Sequence, residues 1–119
     1  MSELLSPGDV MTITGETVFL QNLFIEMNRA TICYAVMRNY ETLPFTVGGS
    51  DLDIILAPED EVKAKAVVME AIRKSGGVPI GIANTIGFFK ISAFGKINSE
   101  QCIEPWWGLC LDFNTGLFY

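Results

Sequence analysis

Phe19, Leu20, Leu23, Phe24 and Met27 fall at i, i+1, i+4, i+5 and i+8. This single apolar stripe predicts an amphipathic helix running from about Glu16, with Thr17 as a cap near its start. Residues 1–15 before it carry Pro7, Gly8 and Gly15 and are expected to form a loosely attached arm. At residues 31–37 (TICYAVM) the pattern changes to an uncharged run rich in β-formers, which predicts a buried strand. Residues 38–49 contain Asn39, Pro44 and two glycines and read as a loop, leading into a second strand, Asp51–Leu56 (DLDIIL). Pro58-Glu59-Asp60-Glu61 then opens a second helix, because proline and acids suit a first turn with unpartnered amides at its positive end. Val62, Ala66, Val67, Met69, Ala71 and Ile72 continue that helix and Ser75-Gly76-Gly77 stops it. Residues 78–82 and 87–94 predict two strands joined by a turn at 83–85, and residues 109–113 (LCLDF) a last strand after Trp106-Trp107-Gly108. The order helix, strand, strand, helix and three strands predicts an α+β fold, a mixed β-sheet with helices packed on one face.

The chain has 119 residues, of which 50% are hydrophobic and 18% charged, enough for one domain with a real core over residues 16–119. Eight basic against 14 acidic residues leave a net charge of -6, which argues against a general nucleic-acid or anionic-membrane binder. A chain with no histidine has no Ser-His-Asp or Cys-His nucleophile system and no histidine-based zinc site. Cys33, Cys102 and Cys110 form no C-x-x-C pair and are expected to be core residues rather than a disulfide framework. No apolar run reaches the length of about 18 residues that spans a bilayer, and residues 1–7 lack the basic and apolar regions of a signal peptide. The expected setting is reduced and cytoplasmic.

The chemistry concentrates in Gly48-Gly49-Ser50-Asp51-Leu52-Asp53-Ile54-Ile55-Leu56. Residues two apart on a strand share a face, so Asp51 and Asp53 point together while Leu52 and Ile54 point into the core. Two neighbouring carboxylates repel each other and resist burial unless a cation lies between them. Oxygen ligands select hard ions, and a pair of aspartates with positions left for phosphate oxygens suits Mg²⁺ or Mn²⁺. Gly48 and Gly49 leave the backbone before the strand uncovered, so that a phosphate can approach its N–H groups with the Ser50 hydroxyl as a further donor. Taken alone, Asp-x-Asp is more often a solvated strand start; here the whole run enters an apolar strand.

This stretch resembles the acidic signature of the DNA polymerase β-like nucleotidyltransferase superfamily, in which one strand carries Asp-x-Asp and a later strand a third carboxylate. Residues 34–56, YAVMRNYETLPFTVGGSDLDIIL, are similar to uncharacterised bacterial nucleotidyltransferase-like proteins, many of them associated with surface-polysaccharide biosynthesis. The resemblance spans roughly residues 17–115. It implies a minimal mixed sheet with helices on one face, a divalent metal, a nucleoside triphosphate and transfer of a nucleotidyl group to a hydroxyl. The alternative is a non-catalytic nucleotide-binding or interaction module of the same fold; a magnesium-dependent phosphotransferase or hydrolase would use the same acids. Related enzymes continue into a helical region that shapes the acceptor pocket, so the resemblance implies a domain either truncated at its C-terminus or minimal.

The superfamily places a Gly-Gly or Gly-Ser pair about a dozen residues before the acidic pair to hold the triphosphate. This chain has Arg38-Asn39-Tyr40 there. Arg38 is therefore the candidate replacement, since a guanidinium binds phosphate bidentately, with a solvated loop arginine or a partner of Glu41 as the alternative. The third carboxylate is expected at Asp112, a lone acid in an apolar strand, with Glu104 as runner-up. Asp112 has Leu111 and Phe113 as neighbours, which turns its carboxylate to the open side of the sheet. The resemblance gives this acid a share in deprotonating the acceptor hydroxyl. Lys90 reads as an exposed-face lysine, alternatively a phosphate ligand. Trp106 and Trp107 read as packing residues, alternatively as stacking platforms for a base or sugar. Lys63, Lys65, Arg73 and Lys74 belong to a solvated helix face.

Overall fold

The computed structural model describes residues 13–37, 43, 51–100 and 102–115. Helix α1 (Gly15–Arg29) begins just before the expected point, because its cap is Thr14 and not Thr17. Thr14 has an extended backbone, which lets its hydroxyl fold over the first turn and accept the Thr17 N–H at 3.2 Å. The last part of the expected arm is tied down: Gly15 N–H donates to the Glu104 carbonyl and Ile103 N–H to that of Ile13. Residues 1–12 lie outside the described residues.

After α1 come β1 (Tyr34–Val36), β2 (Asp51–Leu56), a 3₁₀ turn (Pro58–Asp60) and α2 (Glu61–Lys74). Strands β3 (Gly77–Thr85), β4 (Phe88–Lys96) and β5 (Trp106–Asn114) complete the chain. Four expectations need correction. Instead of a buried strand over 31–37, β1 covers only Tyr34–Val36 and is half-buried with Ala35 exposed, because it is an edge strand paired on one side alone. The β3–β4 turn is Ile86-Gly87 rather than 83–85, because Gly87 supplies the positive φ of 77° and the strands pair as far as Thr85 with Phe88. Strand β5 already starts at Trp106, which pairs with Lys96. The buried stripe of α2 is Ala64, Val68, Ala71 and Ile72, spaced i, i+4, i+7 and i+8, whereas Val62 is 81% exposed and Ala66 points outward.

The strand order is β1-β2-β5-β4-β3, with β2 and β5 parallel at the centre and every other pair antiparallel. A parallel pair needs a crossover, and α2 with the β3–β4 hairpin provides it. The result is an α+β mixed sheet with both helices on one face. Phe19, Leu20, Leu23 and Met27 of α1 and the α2 stripe pack on Leu52, Ile54, Ile91, Leu111 and Phe113. Trp107 closes one end: its ring stacks on Phe19 at 4.2 Å and its Nε1–H donates to the buried Ser75 carbonyl. Packing, the primary expectation for Trp107, is what this residue does. Its neighbour Trp106 faces outward, with Lys96 Nζ 5.4 Å from the ring centroid.

The helix cations are held in ion pairs at the surface, Lys65 with Glu61, Arg73 with Glu70 and Lys74 across to Glu26 on α1. All three cysteines are free; Cys102 is buried as expected, but Cys33 is exposed and Cys110 half-buried, because they sit outside the helix-covered layer. Among the described residues no helix is long and apolar enough to cross a membrane.

Candidate functional site

Strand β2 brings Asp51 and Asp53 to the sheet face that the helices leave open. The period of two does this: Leu52 and Ile54 are fully buried beneath the helices, so the residues between them turn the other way. On β5, fully buried Leu111 and Phe113 turn Asp112 to the same open face. The two strands are parallel neighbours, with Asp53 directly opposite Asp112 and Asp51 opposite Cys110. Strand β4 flanks β5 on its other side and sets Lys90 opposite Asp112 and Ser92 opposite Cys110. Two rows therefore cross three strands side by side. One is Asp53, Asp112 and Lys90; the other is Asp51, Cys110 and Ser92, whose Oγ lies 3.1 Å from Cys110 Sγ.

Asp53 is only 8% exposed, although its side chain is a carboxyl group on the face opposite the helices. Lys90 Nζ stands 3.5 Å from Asp112 Oδ1, an ion pair in which the lysine is the more exposed partner. That same Oδ1 is buried and accepts no hydrogen bond. Burial pushes the Asp112 carboxyl above its ordinary range; Lys90 opposes the rise, and Asp51 and a hydrogen bond and charge from Asp53 add to it. A raised carboxylate stabilises the fold when protonated, and this contribution is lost as pH rises through the folded-state value. Asp112→Asn is accordingly expected to melt higher than the unaltered chain at pH 7, by an amount on the order of 1 kcal/mol. The gain should vanish in acid, where both chains are uncharged at this position. Equal melting temperatures at pH 7 would show that Lys90 fully offsets the burial.

No protein-family model, curated protein or solved structure matches this chain.

The donors are carboxylate oxygens, hard ligands suited to Mg²⁺ or Mn²⁺, and the buried Asp112 Oδ1 is an acceptor without a hydrogen-bond partner. In donor chemistry, though not in spacing, the residues suit a divalent ion. As the side chains stand, no three His, Cys, Asp or Glu among the described residues are gathered tightly enough to hold one. Gly48, Gly49, Ser50 and Arg38, the expected phosphate ligands, lie outside the described residues. Glu104, the runner-up for the third acid, is exposed and sits in the bridge to Thr14, where its carbonyl anchors the start of α1.

Two shallow depressions lie beside the row of Ser92 and Cys110, and no acid among the described residues lines either. One, of about 310 Å³, is lined by Ile80, Ser92, Phe94, Gly108 and Cys110 among others. The other, of about 260 Å³, is lined by Gly81, Ile82, Ala83, Lys90 and Ser92. A larger groove of about 550 Å³ lies between α1 and β1, where Phe24, Tyr34 and Val36 line it and, among the described residues, no carboxylate does. The sequence reading missed Ser92 and Cys110 as neighbours of the acids. Alternation along β4 and β5 puts them on the open face, but only the pairing of these strands brings them beside Asp51.

Proposed function

We propose that the protein transfers a nucleotidyl group from a nucleoside triphosphate to a hydroxyl of a small molecule or sugar, in a metal-dependent reaction. The observation that carries this reading is the in-register placement of Asp53 against Asp112, with Asp51 beside them, on an open sheet face. Three acids on one face of two parallel strands are costly unless they serve a cation, and the motif around Asp51 resembles that of nucleotidyltransferases. Asp51 and Asp53 would hold the ion, with Asp112 as third ligand. A divalent ion bound there would stabilise charge developing on the α-phosphate as pyrophosphate leaves. Asp112 is the base for the acceptor: its raised affinity for a proton suits it to take one from the attacking hydroxyl. Gly49, Ser50 and Arg38 would bind the triphosphate.

A second reading, a non-catalytic nucleotide-binding or interaction module of this fold, is favoured by one observation. Lys90 already balances Asp112 without any metal. Incubation of the chain with each labelled ribo- and deoxyribonucleoside triphosphate, Mg²⁺ or Mn²⁺ and a panel of sugar acceptors separates the two. Pyrophosphate release with label on the acceptor supports transfer. Binding without release leaves the module, and release of orthophosphate instead points to a phosphotransferase or hydrolase.

A further inference from the structure

Lys90 is placed too specifically to be only a surface lysine. Its Cα is the register partner of Asp112 on one side and of Ala83 on the other, in the middle of the open face. Its Nζ approaches Asp112 Oδ1 at 3.5 Å, close enough for charge attraction and too far for a good hydrogen bond. This is the oxygen left without a hydrogen-bond partner. An ammonium held by charge alone is readily displaced, since no directed hydrogen bond has to break. The depression beside it is lined by Gly81, Ile82, Ala83 and Ser92, three of them small, which leaves the lysine stem room to swing.

A divalent ion and the Lys90 ammonium would compete for the same oxygen. We propose that Lys90 is a placeholder cation and phosphate ligand: its ammonium balances the aspartates in the unloaded protein, gives up Asp112 when a divalent ion binds, and then takes a phosphate oxygen of the triphosphate. This inference rests on the nucleotidyl-transfer reading above, and it assigns Lys90 two opposite effects at one site. Lysine suits the exchange because its flexible stem carries a compact charge that can move between partners.

The two effects give opposite signs in one variant. Mn²⁺ alone is titrated into the full chain and the free ion followed by electron paramagnetic resonance. Inorganic tripolyphosphate, a base-free stand-in for the triphosphate chain, is then titrated calorimetrically at saturating Mn²⁺. Lys90→Gln should bind Mn²⁺ about three- to tenfold more tightly, because a competing positive charge is gone. It should bind tripolyphosphate about tenfold more weakly, the scale of one lost charge-assisted contact. Lys90→Arg should keep tripolyphosphate affinity within about twofold of the unaltered chain. Lys90→Met serves as a second neutral variant should the glutamine disturb folding. Unchanged or weaker Mn²⁺ binding in the neutral variants overturns the placeholder role, and unchanged tripolyphosphate binding overturns the phosphate role. An unaltered chain that binds neither probe overturns the site reading itself, a result distinct from binding that is indifferent to Lys90.

Discussion

Replacing Asp51 and Asp53 together by asparagine is expected to abolish Mn²⁺ binding and to lower any pyrophosphate release by at least about a hundredfold. Loss of groups that merely orient metal ligands costs about ten- to a hundredfold, and direct ligands should cost no less. Asparagine keeps the shape of each side chain, removes its charge and turns one acceptor oxygen into an amide donor, so the packing of Leu52 and Ile54 beneath the helices is untouched. The chain should therefore melt no lower than before, because two like charges beside the buried side of Asp112 are gone. This pairing of lost binding with retained stability makes the experiment decisive. Mn²⁺ binding that survives the double substitution would remove the aspartate pair from the site, and a large fall in melting temperature would make the acids structural. Each single variant should lie between the double variant and the unaltered chain. Asp53→Asn should have the larger effect, since Asp53 faces Asp112 directly.

The centre of this site was readable from sequence because β2 is a central strand bounded by sharp signals. A run whose only polar residues are two aspartates at alternate positions, following a Gly-Gly-Ser start, reads as Asp51–Leu56, and the alternation of two then fixes which residues face the helices. Asp112 followed from the same rule, with Leu111 and Phe113 as the inward pair. What alternation cannot supply is lateral order. Residues Lys90 and Asp112 are far apart in the chain, and nothing in their own strands says that β5 lies between β2 and β4. The Lys90–Asp112 pair thus became visible only with the register, which sets a lysine read as an exposed-face residue beside the carboxylates. Boundaries failed for local reasons. Val62 belongs to an apolar-looking segment, yet the phase of α2 is set by Ala64 and Val68 against the core, which leaves Val62 in solvent. The cap fell to Thr14 because an extended residue must precede the first turn, and Thr17 already lies within it.

Phe113→Ala is expected to destabilise the protein by about 3–5 kcal/mol, the usual cost of deleting a fully buried aromatic ring. Phe113 is completely buried and stacks on Phe89 with ring centroids 4.6 Å apart, and the Phe89 ring also carries Lys65 Nζ at 5.0 Å. The cavity would open under the middle of the sheet, where Phe113 pairs with Ile54 on one side and Phe89 on the other, so neither neighbouring strand can close it without breaking register. A domain of this size has a total stability of about 5–15 kcal/mol, and the loss is a large share of it. The same cavity lies beneath the residue next to Asp112, so the site should loosen as the core does. Phe113→Leu keeps more of the volume and should cost less, about 1.5 kcal/mol. Urea unfolding of both variants measures the difference, and Mn²⁺ titration of the folded leucine variant measures its effect on the carboxylates. If Phe113→Ala lost less than about 1 kcal/mol, the helix-facing side of β5 would not be the sealed layer that turns Asp112 toward the open face.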